Sequence, residues 1–232
     1  MSKHLPLILF IALAISCASR SEKGAVDTAK PYIKIDLTFN PDTYPWLMGK
    51  KYPTFAVWIE EKKSGYVHTI FVTGKAGKNK WMMADERPSS APVWMGIRKK
   101  AASTMEIDSV TGATPGGDGF TIYWQVPENL ANRSVDIFLE GNVSFDYNAH
   151  YRKDAGKSDT GYSDVNGQPS LVWKGTINTG GGNSETVPVI IGHGSVLGTD
   201  SVIDSDLSRI TSAKNIFSYI KYSYFTGTGG NR

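Results

Sequence analysis

Three hydroxyls and a carboxylate stand close together in Asp108-Ser-Val-Thr111-Gly112-Ala113-Thr114, and Pro115-Gly-Gly-Asp-Gly-Phe120 follows. A threonine hydroxyl is a poor nucleophile without an adjacent base. Its chemistry here would be that of an acceptor, with the activating groups supplied by another catalyst. What an acceptor needs is access. Gly112 and Ala113 leave the backbone bare beside Thr114, and Pro115 biases Thr114 towards an extended conformation. Pro115-Gly116 suits the centre of a type II turn, which would present Thr114 at a tip before a strand begins at Phe120.

Other familiar chemistries are poorly supplied. His68, His150 and His193 are far apart, with no cysteine or closely spaced carboxylate to complete a zinc or copper set. His68 falls within an alternating segment, where a satisfied or solvent-facing imidazole is expected. "GHGSVLG" at 192–198 fails the nucleophile elbow G-x-S-x-G, because His193 and Leu197 occupy the glycine places. "DTGYSDVNGQ" at 159–168 spaces its acids too loosely for an EF-hand loop. No glycine-rich nucleotide loop is present, so a self-sufficient hydrolase is not indicated. Of six tryptophans, Trp58, Trp124 and Trp173 lie in strand candidates and are expected in the core. Trp46, Trp81 and Trp94 lie in irregular segments, where they are expected to be available to stack on a flat ring or a sugar; Trp94 and Trp124 are the candidates for packing on a large flat ring.

The N-terminus carries a short positive region, an apolar run from Leu5 to Ile15, then Ser16 and the single cysteine, Cys17. The run suits a secretory signal and is too short for a permanent membrane span. Leu13-Ala-Ile-Ser-Cys17 resembles a bacterial lipobox, which implies cleavage before Cys17 and lipid on its thiol and new amino group. Several acyl chains would anchor the chain firmly, in the periplasm or at the cell surface. Removing residues 1–16 takes away Lys3 and moves the formal charge from +3 to +2, leaving no electrostatic case for nucleic acid.

The remaining chain must position these groups without a disulfide. Residues 18–30 are polar and read as a tether, 31–225 as one domain, and 226–232 as a flexible tail. Alternation marks strands at Tyr32–Phe39, Phe55–Glu60, Val67–Val72, Phe120–Trp124, Val135–Glu140, Leu171–Ile177, Val187–Ile191 and Tyr219–Tyr224. Lys62-Lys-Ser-Gly65 should close a hairpin. The Phe120 and Val135 strands are expected as another adjacent pair, and Pro188 should lie at an edge or bulge. Helix is expected over Val93–Ala102, despite Gly96, and briefly within Asp206–Ile216. Residues 154–168 and 179–185 read as exposed loops. Many short strands favour an all-β antiparallel sandwich of Ig-like or fibronectin-like type with one or two short helices.

Asp108 to Thr114 fits D-x-x-[ST]-G-A-[ST] at every defined position and resembles the flavinylation motif of extracytoplasmic flavoproteins. The resemblance implies that a flavin transferase moves FMN from FAD onto Thr114 as a phosphoester, with Asp108, Thr111, Gly112 and Ala113 as recognition context. The bound phosphate could accept N–H bonds from the 112–113 or 116–117 backbone. Where many relatives continue with a basic residue, Pro115-Gly116-Gly117 follows here. The segments "YPTFAVWIEEKKSGYVHTIFVTGKAGKNKW", "SVDIFLEGN" and "LSRITSAKNIFSYIKYSY" are similar to the exported domain of unknown function 2271 family, over roughly Tyr32 to Tyr224. That resemblance implies an Ig-like domain working beside a membrane PepSY-type flavin reductase, as an electron carrier more than an enzyme. The competing expectation is a non-catalytic Ig-like module that binds a protein partner or a surface glycan.

Overall fold

The computed structural model describes residues 20–40, 52–78, 88–101, 110–112, 118–198 and 200–228. Among the described residues eleven strands form two sheets. The first sheet is ordered β1 (Arg20–Lys23), β6 (Gly119–Gln125), β2 (Tyr32–Phe39), β11 (Phe217–Phe225), β9 (Ser184–Thr186). The second is ordered β10 (Val189–His193), β8 (Leu171–Asn178), β7 (Ser134–Asn142), β3 (Thr54–Glu61), β4 (Tyr66–Thr73), β5 (Val110–Gly112). Neighbours are antiparallel except at one edge of each sheet, where β1 runs parallel to β6 and β5 parallel to β4. The expected antiparallel β-sandwich is therefore the architecture found.

The inner faces supply the main core. Ile33, Ile35 and Leu37 of β2 meet Phe55, Val57 and Ile59 of β3 and Ile137 and Leu139 of β7, all buried. Each such side chain contributes about 1.5–3 kcal/mol by leaving water. β3 and β4 form the expected hairpin, closed by residues 62–65.

A parallel pair needs a crossover, and the chain between β4 and β5 provides it. It contains α1 (Gly74–Lys78) and α2 (Pro92–Ala101), the latter close to the helix expected over Val93–Ala102. Pro92 opens α2, a position where its missing N–H costs nothing. α2 covers the outer face of the second sheet, where Ala56, Trp58, Val72, Phe138 and Val172 pack with Val93, Trp94 and Met95. Gly96 is required by packing, because a Cβ there would overlap the backbone of Ser201.

Several expectations change. β6 and β7 are consecutive but lie in opposite sheets. The link between them crosses the end of the sandwich, burying Leu130, whose carbonyl accepts the Thr179 hydroxyl at 2.5 Å. The strand expected around Pro188 is two strands, β9 in the first sheet and β10 in the second. Pro188 sits between them, where the chain changes sheets and an N–H would have no ladder partner. The helix expected within Asp206–Ile216 is a single 3-10 turn, Ser212–Asn215. Residues 163–168 are not an exposed loop, since Ser163, Asn166 and Gln168 are buried. Within the stretch read as tether, residues 20–23 pair with β6. In the stretch read as tail, the Thr226 and Thr228 N–H groups are hydrogen-bonded to Asn183 Oδ1 and Thr28 O.

Candidate functional site

β5 carries the first described part of the Asp108–Thr114 motif. Val110, Thr111 and Gly112 are in register with Phe71, Val72 and Thr73 of β4. Among the described residues β5 is the outermost strand, paired with β4 on one side. After Gly112 the next described residue is Asp118, whose carbonyl accepts the Phe39 N–H at 2.9 Å as β6 begins in the other sheet. The motif therefore leaves one sheet at its edge and the chain re-enters in the other. Asp108, Ala113 and the acceptor Thr114 lie outside the described residues, as does Cys17.

Aromatic packing fills this end of the sandwich. Phe71, opposite Val110 in β5, and Phe120, near the start of β6, have ring centroids 4.9 Å apart. Phe55 lies 5.2 Å from Phe71 and 6.1 Å from Phe120. Phe39 and Phe217 extend the cluster. Six-ångström tilted and edge contacts of this kind add cohesion beyond area burial. They give the strands flanking the motif a rigid base.

The tryptophans considered for ring stacking are placed elsewhere. Trp94 is buried in α2, with Nε1 donating to Thr69 Oγ1 at 3.0 Å and Arg98 over its ring at 5.5 Å. It was expected in an irregular, accessible segment, but the sheet under α2 is apolar and takes the indole in. Trp124 is half-buried at the other end of β6, about 17 Å along the strand from Gly119, with its ring 5.6 Å from His68. Trp94 is closed off by burial, and Trp124 lies away from Gly119, where β6 begins. Trp58 and Trp173 are core residues as expected, and Trp46 and Trp81 lie outside the described residues.

No protein-family model matches this chain, and no curated protein or solved structure matches it either. The family resemblance consequently rests on the motif and the quoted segments alone.

The structure also assembles groups that sequence spacing did not single out. Glu140 of β7 is fully buried, accepts hydrogen bonds from Ser170 and the start of α2, and burial pushes its carboxyl up to about 7. Nothing local in "SVDIFLEGN" signals this, because its partners lie far away in the chain. Asp146 accepts Ser212 Oγ at 2.6 Å and Gln168 Nε2 at 2.9 Å, pinning the long β7–β8 connection to the 3-10 turn before β11. A shallow depression of about 280 Å³ lies at the opposite end from the motif, lined by Glu61, Lys62, Arg133 and Asp136 among others. Its charges are largely spent on each other. Asp136 pairs with Lys174 at 2.9 Å and Lys62 at 3.6 Å. Burial raises the Asp136 carboxyl, but Lys174, Thr176 and Lys62 outweigh it and hold the group below its ordinary range.

The histidines are dispersed. His150 Nε2 is 3.2 Å from Arg209, and His193 Nδ1 is 2.8 Å from the Gly194 carbonyl. Among the described residues no three His, Cys, Asp or Glu side chains converge as a metal site.

Proposed function

We propose that this chain is an extracytoplasmic lipoprotein, anchored through Cys17, that carries FMN covalently on Thr114 and relays electrons from a membrane flavin reductase. The observation that carries this reading is the complete fit of Asp108–Thr114 to the flavinylation pattern. In that chemistry the Thr114 hydroxyl attacks the FMN phosphorus of FAD. A new phosphoester forms, the pyrophosphate bond breaks, AMP leaves, and the hydroxyl proton goes to a base of the transferase. The flavin supplies the redox chemistry once attached.

The placement of β5 supports the fit. Thr111 and Gly112 sit on an edge strand at the end of the sandwich, so a bulky group attached just beyond displaces no neighbouring strand. The aromatic base under this edge would hold the attachment point steady relative to a partner. Burial of Trp94 under α2 leaves its indole no part in holding the ring.

The test is expression with a periplasmic flavin transferase, followed by intact mass and in-gel fluorescence after denaturation. The expected result is a mass increment of one FMN and a fluorescent band, lost in Thr114→Ala and retained in Thr111→Ala. A dark band with no mass increment would overturn the reading and leave the cofactor-free binding module in its place.

A further inference from the structure

The two parallel edge strands lie on the same side of the sandwich. Ring contacts set how the sheets align: Phe120 of β6 meets Phe71 of β4, Phe39 of β2 meets Phe55 of β3, and Phe217 of β11 meets Trp173 of β8. Outward from these pairs, β1 flanks β6 in the first sheet as β5 flanks β4 in the second. Packed sheets are spaced about 10 Å apart. The strand directions matter as much. β1 runs parallel to β6 with Arg20 opposite Gly119, so it enters at the end where β6 begins. β5 runs parallel to β4 with Gly112 opposite Thr73, so it leaves at the end where β4 finishes. Phe71 and Phe120 bring those two ends together.

The chain after β1 is bound down. A Cβ on Gly24 would overlap the Tyr123 carbonyl, and its φ of +89° favours glycine. The Asp27 N–H donates to Gln125 Oε1 at 2.8 Å, and Gln125 Nε2 donates to the Pro31 carbonyl at 2.6 Å. The Val126 N–H reaches the same carbonyl at 3.1 Å. Residues 20–31 thus follow β6 as part of the sandwich, and only Ala18 and Ser19 stand between Cys17 and β1. Three residue steps reach about 11 Å at most, and the two steps from Gly112 to Thr114 about 7 Å. The hairpin turn at 62–65 is a strand's length away at the opposite end, about 25 Å for the eight residues of β4. A headgroup layer is itself roughly 5–7 Å deep.

We propose that the domain stands on the bilayer on its motif end, with the β1 and β5 edge next to the headgroups and the hairpin turn pointing away. This rests on the reading of Cys17 as lipidated, and it needs no flavin. The side chains at this end suit such a surface. The connections 143–170 and 194–216 both leave the sandwich here and return to it here. They carry exposed Phe145, Leu197 and Val202, and Tyr219 is exposed near the start of β11. The other exposed large apolar side chains among the described residues, Val187 and Val189, flank the crossing at Pro188. A flavin on Thr114 would then face the membrane. Its electron partner is one that presents a redox group at the bilayer surface, since a soluble partner arriving from the far side meets the hairpin end instead.

The full lipidated chain in phosphatidylcholine vesicles, with a small fraction of headgroup-spin-labelled lipid as quencher, tests the orientation. Lipid occupies the thiol of Cys17, the single natural cysteine, so a thiol-reactive fluorophore goes only to an introduced one. Lys63→Cys marks the hairpin turn and Ser218→Cys the motif end, beside Phe217 in register with Phe39; both positions are exposed. Quenching should be severalfold stronger at position 218 than at position 63, in Thr114→Ala as in the native chain. About twenty Gly/Ser residues inserted between Ser19 and Arg20, with an r.m.s. span of about 25 Å, should bring the two positions level. Equal quenching, stronger quenching at position 63, or a difference that survives the insertion would each overturn the proposal. Intact mass and flavin content of the same samples separate the readings. A chain without lipid overturns the Cys17 reading and this orientation with it, and a lipidated chain with equal quenching overturns the orientation alone. A lipidated, oriented chain that never takes FMN overturns the Thr114 reading alone.

Discussion

Trp94 Nε1 donates to Thr69 Oγ1 at 3.0 Å, joining α2 to β4 through the middle of a buried apolar layer. The bond fixes where α2 lies along the sheet, since Thr69 is itself buried and has a single register with Trp58 of β3. Trp94→Phe should cost about 1–3 kcal/mol, because the Thr69 hydroxyl is left without its donor as well as losing ring contact. Urea unfolding followed by Trp fluorescence measures it, and a change below about 0.5 kcal/mol would show that the bond is not formed in solution.

Global stability should carry the signature of Glu140. Its carboxyl is raised from 4.5 to about 7 in the folded protein. A raised folded value means the native state holds more protons between those two values. The contribution is fully present below the unfolded pKa, falls as pH rises through the folded one, and is flat above it. The amplitude is at most roughly 3 kcal/mol by the ordinary conversion of pKa to free energy. Asp136, lowered in the folded state, acts oppositely and only towards its own acid range. Denaturation midpoints at several pH values should decline from mildly acid to neutral in the native protein, and Glu140→Gln should remove most of that slope.

Gly96→Ala is a substitution for which helix propensity and packing disagree. Alanine favours a helix interior by about 1 kcal/mol over glycine. The new methyl would meet Ser201 backbone in the loop that lies on α2, where Lys100 also bonds to Ser201 Oγ. Packing should win, with a net loss of about 1–3 kcal/mol and increased exchange at residues 200–203. A stabilised variant would mean that the loop does not rest on α2.

Among the described residues the Tyr222 hydroxyl is buried with no hydrogen-bond partner, and burial alone pushes its phenol far above the usual range. An orphaned hydroxyl costs about 1–3 kcal/mol on mutational evidence. Tyr222→Phe keeps the ring against Gly175 and removes only that oxygen. The variant should be as stable as the native protein or more so, by up to about 1 kcal/mol, measured by thermal or urea unfolding. A loss of more than that would reveal a partner for the hydroxyl.

Alternation along Tyr32–Phe39 or Leu171–Ile177 was enough to name the strands, because a half-buried strand must put every second residue inward. The lysine-rich turn at 62–65 and the apolar start of α2 were legible for equally local reasons, whereas Pro188, read as part of an edge strand, separates two strands instead. Alternation says which face is buried but not against which sheet. Hence β6 and β7 read as neighbours and are in fact in opposite sheets. The motif Asp108–Thr114 could be read whole from its spacing, since its proposed chemistry depends on residues next to one another in the chain.

What the sequence determined by itself was most of the long strands and the sandwich class, and it supplied the motif on which the proposal for Thr114 rests; the short strands β1, β5 and β9 carried no alternation long enough to read. Only the tertiary structure decided that Trp94 is buried, that Trp124 packs beside His68, and that Glu140 caps α2. Those outcomes depend on the parallel crossover that lays α2 across the second sheet. Burial and hydrogen-bond partnership there come from residues tens of positions apart, and no local period encodes them.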